Sequence, residues 1–149
     1  MRKQKRIIVI STILAIFVSI WMMFGLEMLG AFILQSEKIG LYELSVMFNC
    51  RYKPEKELTM DIGEEKYIIP LPPNSAKFEN DVYPVNDGSH QYISCVRNLE
   101  DYFKELSKNG WVVEERMGAS YIIKNVNTGD QFIITVNKFT RYYYRFKFS

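Results

Sequence analysis

The sequence predicts an α+β protein, in which an N-terminal transmembrane helix precedes a small two-layer domain with an antiparallel sheet and one main helix. Three features predict this class: a long apolar run near the N-terminus, one amphipathic segment, and several short segments of alternating polarity between turn residues. We divide the chain into a cytoplasmic basic tip (1–6), a transmembrane helix (7–26), a membrane-proximal helical stalk and linker (27–53), and an extracytoplasmic α+β domain (54–149).

The apolar run from Ile7 to Leu26 predicts a membrane-spanning helix. It contains nothing more polar than serine and threonine, and a helix of this length covers about 30 Å, the thickness of the hydrocarbon core. A cleaved signal peptide would have a shorter apolar region and a pair of small residues at its cleavage site, so we expect an uncleaved anchor. Basic residues precede the run and Glu27 follows it, which predicts a single-pass protein of the cell membrane with its C-terminal domain outside.

Small residues recur at every fourth position of this run, at Ser11, Ala15 and Ser19. Such residues on one side of a helix allow a second helix to approach closely, which makes them a candidate helix–helix face. The alternative is that an apolar helix tolerates scattered small residues anywhere.

The segment after the run is apolar again, and residues 27–50 predict a helical extension at or near the membrane surface. Arg51 to Glu57 is charged and contains Pro54, which is typical of a linker, so the folded domain is expected to begin near residue 54.

The domain begins with a predicted hairpin, in which Leu58–Ile62 and Tyr67–Pro70 flank the turn at Gly63. Three prolines and several turn residues then predict a long irregular loop over Leu71–Gly88. A strand follows around Ile93.

Leu99, Tyr102, Phe103 and Leu106 have the spacing of an amphipathic helix, with Asn98 and Gly110 as its predicted caps. Four alternating strands complete the predicted antiparallel meander: Trp111–Arg116, Ser120–Val126, Gln131–Lys138 and Arg141–Phe148.

Two short motifs carry a resemblance: the proline-rich segment Pro70-Leu71-Pro72-Pro73-Asn74-Ser75, and the helix Leu99–Leu106 that leads into Gly110-Trp111. In these motifs the chain resembles small membrane-anchored or lipoprotein-type extracytoplasmic domains of Gram-positive-type bacteria, over about two fifths of its length. The resemblance implies the fold and assigns no activity.

No catalytic constellation is evident, so we predict a protein that is not an enzyme and needs no cofactor or metal. The one histidine, His90, lies in a predicted loop, and a nucleophile pair with Cys95 would lack a third, orienting group. The sequence contains no phosphate-binding glycine loop, no nucleophile elbow and no dinucleotide fingerprint.

The two cysteines, Cys50 and Cys95, are both predicted to lie outside the membrane, where oxidation can occur. A disulfide would tie the stalk to the domain. The alternative is that Cys95 is a small core residue and Cys50 an apolar residue of the stalk.

The last strand carries the strongest candidate interaction surface. Residues 138–149 hold four bases and no acid, whereas residues 54–87 hold eight acids and three lysines. The predicted surface consists of Lys138, Arg141, Tyr143, Arg145 and Lys147. It could meet anionic lipid, an acidic wall polymer or an acidic protein. The alternative is that these charges protect a C-terminal edge strand and keep it soluble.

Three functional classes follow, of which a membrane-anchored interaction or accessory module is the first. A subunit of a membrane complex that assembles through its transmembrane helix is the second, and a small extracytoplasmic enzyme is the third. The expected partners are membrane lipid and another membrane or envelope protein. The outward topology argues against nucleic acid, and no pattern indicates a small-molecule ligand.

Overall fold

A computed structural model describes residues 9–20, 22, 40–79 and 88–149. The α+β class is confirmed: seven strands form one antiparallel sheet in the order β1-β2-β3-β7-β6-β5-β4. The helices are α1 (9–20), α2 (Leu41–Tyr52) and α3 (Leu99–Lys108). The strands are β1 (Glu55–Ile62), β2 (Glu65–Lys77), β3 (His90–Ser94), β4 (Trp111–Met117), β5 (Ser120–Asn125), β6 (Gln131–Lys138) and β7 (Tyr144–Phe148).

The predicted membrane helix, 7–26, is described only in part. Residues 9–20 and 22 are helical, and the remainder of that range lies outside the described residues, as do the basic tip and residues 27–39. Among the residues that are described, no helix combines the length and the apolar character that crossing a membrane requires. Two compact units divide the chain, Met1–Gly40 and Leu41–Ser149.

The first hairpin is confirmed, but its second strand is much longer than predicted. Ile62 pairs with Glu65 across a tight turn in which Gly63 has a φ of 64°. β2 then continues to Lys77, so the prediction of a loop that starts at Leu71 is wrong for residues 71–77. Residues 80–87 of the predicted loop lie outside the described residues.

Two buried serines explain how the proline-rich segment remains in the sheet. The Ser75 hydroxyl donates to the Pro72 carbonyl at 2.6 Å, and the Ser94 hydroxyl of β3 donates to the Pro73 carbonyl at 2.6 Å. These bonds satisfy carbonyl groups beside prolines, which have no N–H to offer a strand neighbour. The register between β1 and β2 shifts across this segment, so that β2 pairs with β1 mainly up to Pro70 and with β3 from Ser75 onward.

The predicted helix is α3. Its N-cap Asn98 is confirmed, whereas its C-cap is Asn109 and the predicted Gly110 is the next residue. The Asn98 side chain accepts a 3.0 Å hydrogen bond from the Glu100 amide, and Gly110 follows the helix with a φ of 81°. The buried side of α3, with Tyr102 and Leu106, packs on one face of the sheet. This layer is the main hydrophobic core, to which α3 and all seven strands contribute buried side chains.

α2 covers the other face of the sheet at β2 and β3, which differs from the predicted stalk. Its residues Met47 and Cys50 are completely buried, as are Phe78 and Ile93. The compact unit consequently begins at Leu41 rather than near residue 54, and the charged segment predicted as a linker is the end of α2 and the start of β1. The sheet is apolar on both faces here, and a second helix is needed to cover it.

β7 is shorter than predicted and occupies the centre of the sheet. It begins at Tyr144 instead of Arg141, and it pairs with both β3 and β6. The interpretation of this strand as a C-terminal edge is therefore wrong, because neighbours satisfy its backbone groups on both sides.

Tyr67, near the start of β2, contacts residues of β4 and of the β5–β6 turn, at the other end of the strand order. Its ring contacts Trp111 of β4 edge to face, with the ring centres 5.1 Å apart. Its hydroxyl donates to the Asp130 carboxylate in the β5–β6 turn and lies 3.2 Å from the Thr128 hydroxyl. This hydrogen bond raises the pKa of Tyr67 to about 12, and hydrogen bonds from Thr128 and then Tyr67 lower the pKa of Asp130.

We expect Tyr67→Phe to flatten the pH dependence of stability at both extremes. The folded pKa of Tyr67 is raised from 10.0 to about 12, so its contribution is present below pH 10 and is lost as the pH rises through 12. The folded pKa of Asp130 is lowered, so its contribution is present above 3.8 and is lost as the pH falls through that lowered value. Urea unfolding from acidic to alkaline pH would measure both limbs.

Tyr144→Phe, which removes a hydroxyl from β7, is the matched control and should keep the pH dependence of the unaltered protein. Equal slopes for Tyr67→Phe and the unaltered protein above pH 10 would contradict the role assigned to this hydroxyl, whose ordinary pKa is 10.0.

Candidate interaction surface

The face of the sheet that lies opposite α3 is covered by α2 at β2 and β3, whereas over β4 to β7 its side chains range from half-buried to exposed in the part of the chain that the structure describes. In β6 the buried residues Phe132, Ile134 and Val136 alternate with more exposed ones, as the sequence predicts. Because paired residues of neighbouring strands share a face, the pairing extends this outward set across the sheet. We call these residues the open face: Val112, Glu115 and Met117 of β4, Ser120, Ile122 and Lys124 of β5, Gln131, Ile133, Thr135 and Asn137 of β6, and Arg145 and Lys147 of β7.

Cross-strand pairs fix the positions of the bases. Lys147 lies opposite Thr135, which lies opposite Ser120 on its other side, and the hydroxyls of Ser120 and Thr135 are 2.9 Å apart. Arg145 lies opposite Asn137 on one side and opposite Ile93, beneath α2, on the other. The central bases therefore stand between α2 and a row of small polar side chains.

The far side of the open face is internally charge-paired. The Lys124 amino group lies 2.7 Å from the Glu114 carboxylate, which also accepts a hydrogen bond of 2.6 Å from the Gln131 amide. These contacts compensate charge near β4. Positive charge is accordingly concentrated at β7 and the β6–β7 loop.

Apolar side chains lie between these two regions. Ile133 is 38% exposed and Met117 is 51% exposed, and the half-buried Ile122 lies opposite Ile133. Exposed apolar groups beside charged ones are typical of a surface that a partner covers.

Of the five residues predicted for the interaction surface, four are at least partly exposed. Arg145 and Lys147 lie on the open face, Lys138 is at the exposed end of β6, and Arg141 is in the exposed β6–β7 loop. Tyr143 is only 2% exposed, so it does not form part of an exposed surface. The reason is that the strand starts at Tyr144, and the alternation that placed Tyr143 beside Arg145 does not extend into the loop.

The β6–β7 loop turns inward at Tyr143. The amides of Phe139 and Thr140 both donate to the Tyr143 carbonyl, at 2.9 and 3.0 Å, and the Phe139 ring lies 5.5 Å from that of Phe78. Arg141 projects over the ring of Tyr142, with its guanidinium carbon 5.4 Å from the ring centre. Tyr142 is therefore the aromatic group next to the bases.

Sequence reasoning missed the apolar part of the open face, which Met117, Ile122 and Ile133 form. Their alternation marks them as outward residues, but only the order of the strands brings them together with Arg145 and Lys147. The order itself is that of the predicted meander, in which β4, β5, β6 and β7 pair consecutively. The register of each hairpin decides which outward side chains become neighbours, and the alternation of a single strand does not give that register.

The other predicted residues lie in separate places. Ser11, Ala15 and Ser19 all fall in α1 at four-residue intervals, and the Ser19 hydroxyl donates to the Ala15 carbonyl at 2.8 Å. Their role as a helix–helix face stays a prediction. His90 begins β3 instead of lying in a loop, and its Nδ1 is 3.7 Å from a Glu79 carboxylate oxygen.

Cys50 lies at the contact between α2 and β3, Cys95 follows β3 directly, and both are free thiols. Cys50 is buried and Cys95, just after β3, is half-buried. Burial, followed by the nearby Cys95, raises the pKa of Cys50 to about 12.

Comparisons with known proteins do not assign the surface. No family model matches the chain, and neither the curated proteins nor the solved structures give a significant match. The interpretation therefore depends on the arrangement of the side chains.

Proposed function

We propose that this protein is a membrane-anchored interaction module outside the cell membrane, which binds an acidic segment of another envelope protein through its open face. The observation that supports this most strongly is the combination on one exposed half-sheet of bases at β7 with apolar side chains at β4 to β6. A sheet face of this kind suits a protein segment better than a small molecule, which needs a concave site.

The sequence supports the membrane anchor. Four bases within residues 1–6 precede an apolar run of 20 residues, 7–26, and the exported part of the chain is close to neutral. A basic tip of this kind remains on the cytoplasmic side, which directs the α+β domain outward.

The charges on the open face define the chemistry of the partner. Lys124 is paired with Glu114, and residues 138–149 contain four bases and no acid of their own. Acidic side chains of a partner would be attracted to β7, and its apolar side chains would cover Met117 and Ile133. Electrostatic attraction of this type accelerates association, and apolar burial supplies affinity.

We expect the double variant Arg145→Glu and Lys147→Glu to lose its envelope partner. Reversal of two charges at an interface weakens binding on the order of 100-fold, because attraction becomes repulsion. The measurement is a pull-down of the tagged full-length protein from mild detergent, quantified by mass spectrometry at low and at high salt. The partner should also be released from the unaltered protein as the salt concentration rises.

Lys53→Glu with Lys56→Glu is the matched control, since it makes the same change in net charge at exposed positions near α2 and β1. The control should retain the partner. If both double variants retain the same companions as the unaltered protein, the open face is an ordinary solvated surface, and Ser11, Ala15 and Ser19 become the stronger candidate. If the unaltered protein instead binds anionic vesicles and no protein, the surface recognises lipid.

A further inference from the structure

The two cysteines come together because α2 docks on the second face of the sheet. Cys50 lies on the buried side of α2, and its thiol donates to the Ile93 carbonyl of β3 at 3.1 Å. This contact places its sulfur directly over the backbone of β3.

Cys95 is two residues beyond Ile93 along the chain. The Ile93 carbonyl accepts the hydrogen bond of the Cys50 thiol, so Cys50 contacts the backbone two residues before Cys95. The electrostatic influence of Cys95 on the pKa of Cys50 is consistent with this closeness. A disulfide requires the two Cα atoms to come within about 4.4–6.8 Å of each other.

We propose that Cys50 and Cys95 form a redox-active dithiol, which an external disulfide converts into an intramolecular disulfide that fastens α2 to β3. The oxidant is a small-molecule disulfide or the disulfide of a thiol–disulfide oxidoreductase. The inference is independent of the open face and of any partner.

The reaction proceeds in two exchanges. The half-buried Cys95 loses its proton and attacks one sulfur of the external disulfide, whose S–S bond breaks to release one thiolate and leave a mixed disulfide on Cys95. Cys50 then loses its proton, attacks the Cys95 sulfur and releases the second thiolate. Two protein thiols are oxidised, and one external disulfide is reduced to two thiols.

Burial determines this order. Cys50 is completely buried, and a buried thiol neither meets the oxidant nor ionises readily. Cys95 is half-buried and is the residue that an oxidant can approach. The final bond closes the chain between residues 50 and 95 and restricts the unfolded state, which raises the melting temperature on the order of 10 °C.

The test is oxidation of the full-length protein in mild detergent with oxidised glutathione, followed by intact-mass and peptide analysis under non-reducing conditions. We expect a monomer that is lighter by two hydrogen atoms, a peptide that joins Cys50 to Cys95, and a higher melting temperature. Cys50→Ala should stop at a glutathione adduct on Cys95, and Cys95→Ala should remain unmodified.

Two outcomes would overturn the proposal. In the first, the unaltered protein stops at the adduct on Cys95, which would mean that Cys50 cannot reach it. In the second, the cysteines form bonds only between two molecules. Alanine is a small replacement for each thiol, so both variants should remain folded. Their melting temperatures before oxidation check this.

Discussion

A fragment that begins at residue 54 should fail to fold, whereas a fragment that begins at residue 41 should unfold cooperatively. The shorter fragment corresponds to the domain that the sequence predicts, and the longer one to the compact unit Leu41–Ser149. Removal of α2 uncovers Phe78 and Ile93, which are otherwise completely buried. Each such side chain contributes about 1.5–3 kcal/mol when it is buried, in domains whose total stability is about 5–15 kcal/mol.

Circular dichroism and urea unfolding of the two fragments measure this difference. Within the longer fragment, Met47→Ala should cost about 2–5 kcal/mol because Met47 is completely buried in α2. Asn49→Ala, on the exposed side of the same helix, is the control and should change stability by about 0.5 kcal/mol or less. Equal urea midpoints for the fragments starting at 41 and 54 would show that α2 does not support the sheet.

α2 shows why this boundary could not be read from the sequence. Its apolar residues occur on more than one side, since Leu41 is 87% exposed while Val46 and Met47 are buried. A helix without a single apolar stripe, next to a predicted membrane helix, reads as a segment at the membrane surface. What identifies α2 as part of the domain is the apolar surface of β2 and β3 on the face opposite α3. That surface exists only once the strands have paired.

Elements determined by local pattern were predicted well. α3 was predicted from its periodicity and the caps Asn98 and Gly110, and β5 and β6 from alternation. The proline-rich part of β2 was missed, because its carbonyl groups are satisfied by Ser75 and by Ser94 from another strand. A sequence reveals the prolines but not the distant hydroxyl that allows them to remain in a sheet.

The candidate surface likewise contains residues that the sequence predicts correctly and residues that it does not. Arg145 and Lys147 were placed on one face by their alternation with Phe146 and Phe148, and the structure has them there. Tyr143 was misplaced because the strand ends before it. The apolar neighbours Met117, Ile122 and Ile133 come from the predicted meander, but which of them lie side by side depends on the register of its hairpins, which the alternation of a single strand does not give.

Phe146→Ala should be among the most destabilising single substitutions in the domain. Phe146 is completely buried in the central strand β7, and its ring contacts that of Tyr102 in α3 edge to face, with the centres 5.8 Å apart. Truncation of such a ring removes apolar burial and leaves a cavity, at a cost of about 3–5 kcal/mol. Urea unfolding, followed by circular dichroism, gives the change in the free energy of unfolding.

Arg145→Glu is the informative control for this change, because residue 145 is adjacent in the chain but points to the opposite face. It should destabilise the domain much less than Phe146→Ala, because the half-buried Arg145 side chain lies on the face opposite the main core, while it weakens binding of the acidic partner. A cost below about 1 kcal/mol for Phe146→Ala would instead place β7 at an edge of the sheet, where less apolar surface is buried. The two neighbouring substitutions therefore separate the face that holds the fold together from the face that is proposed to bind.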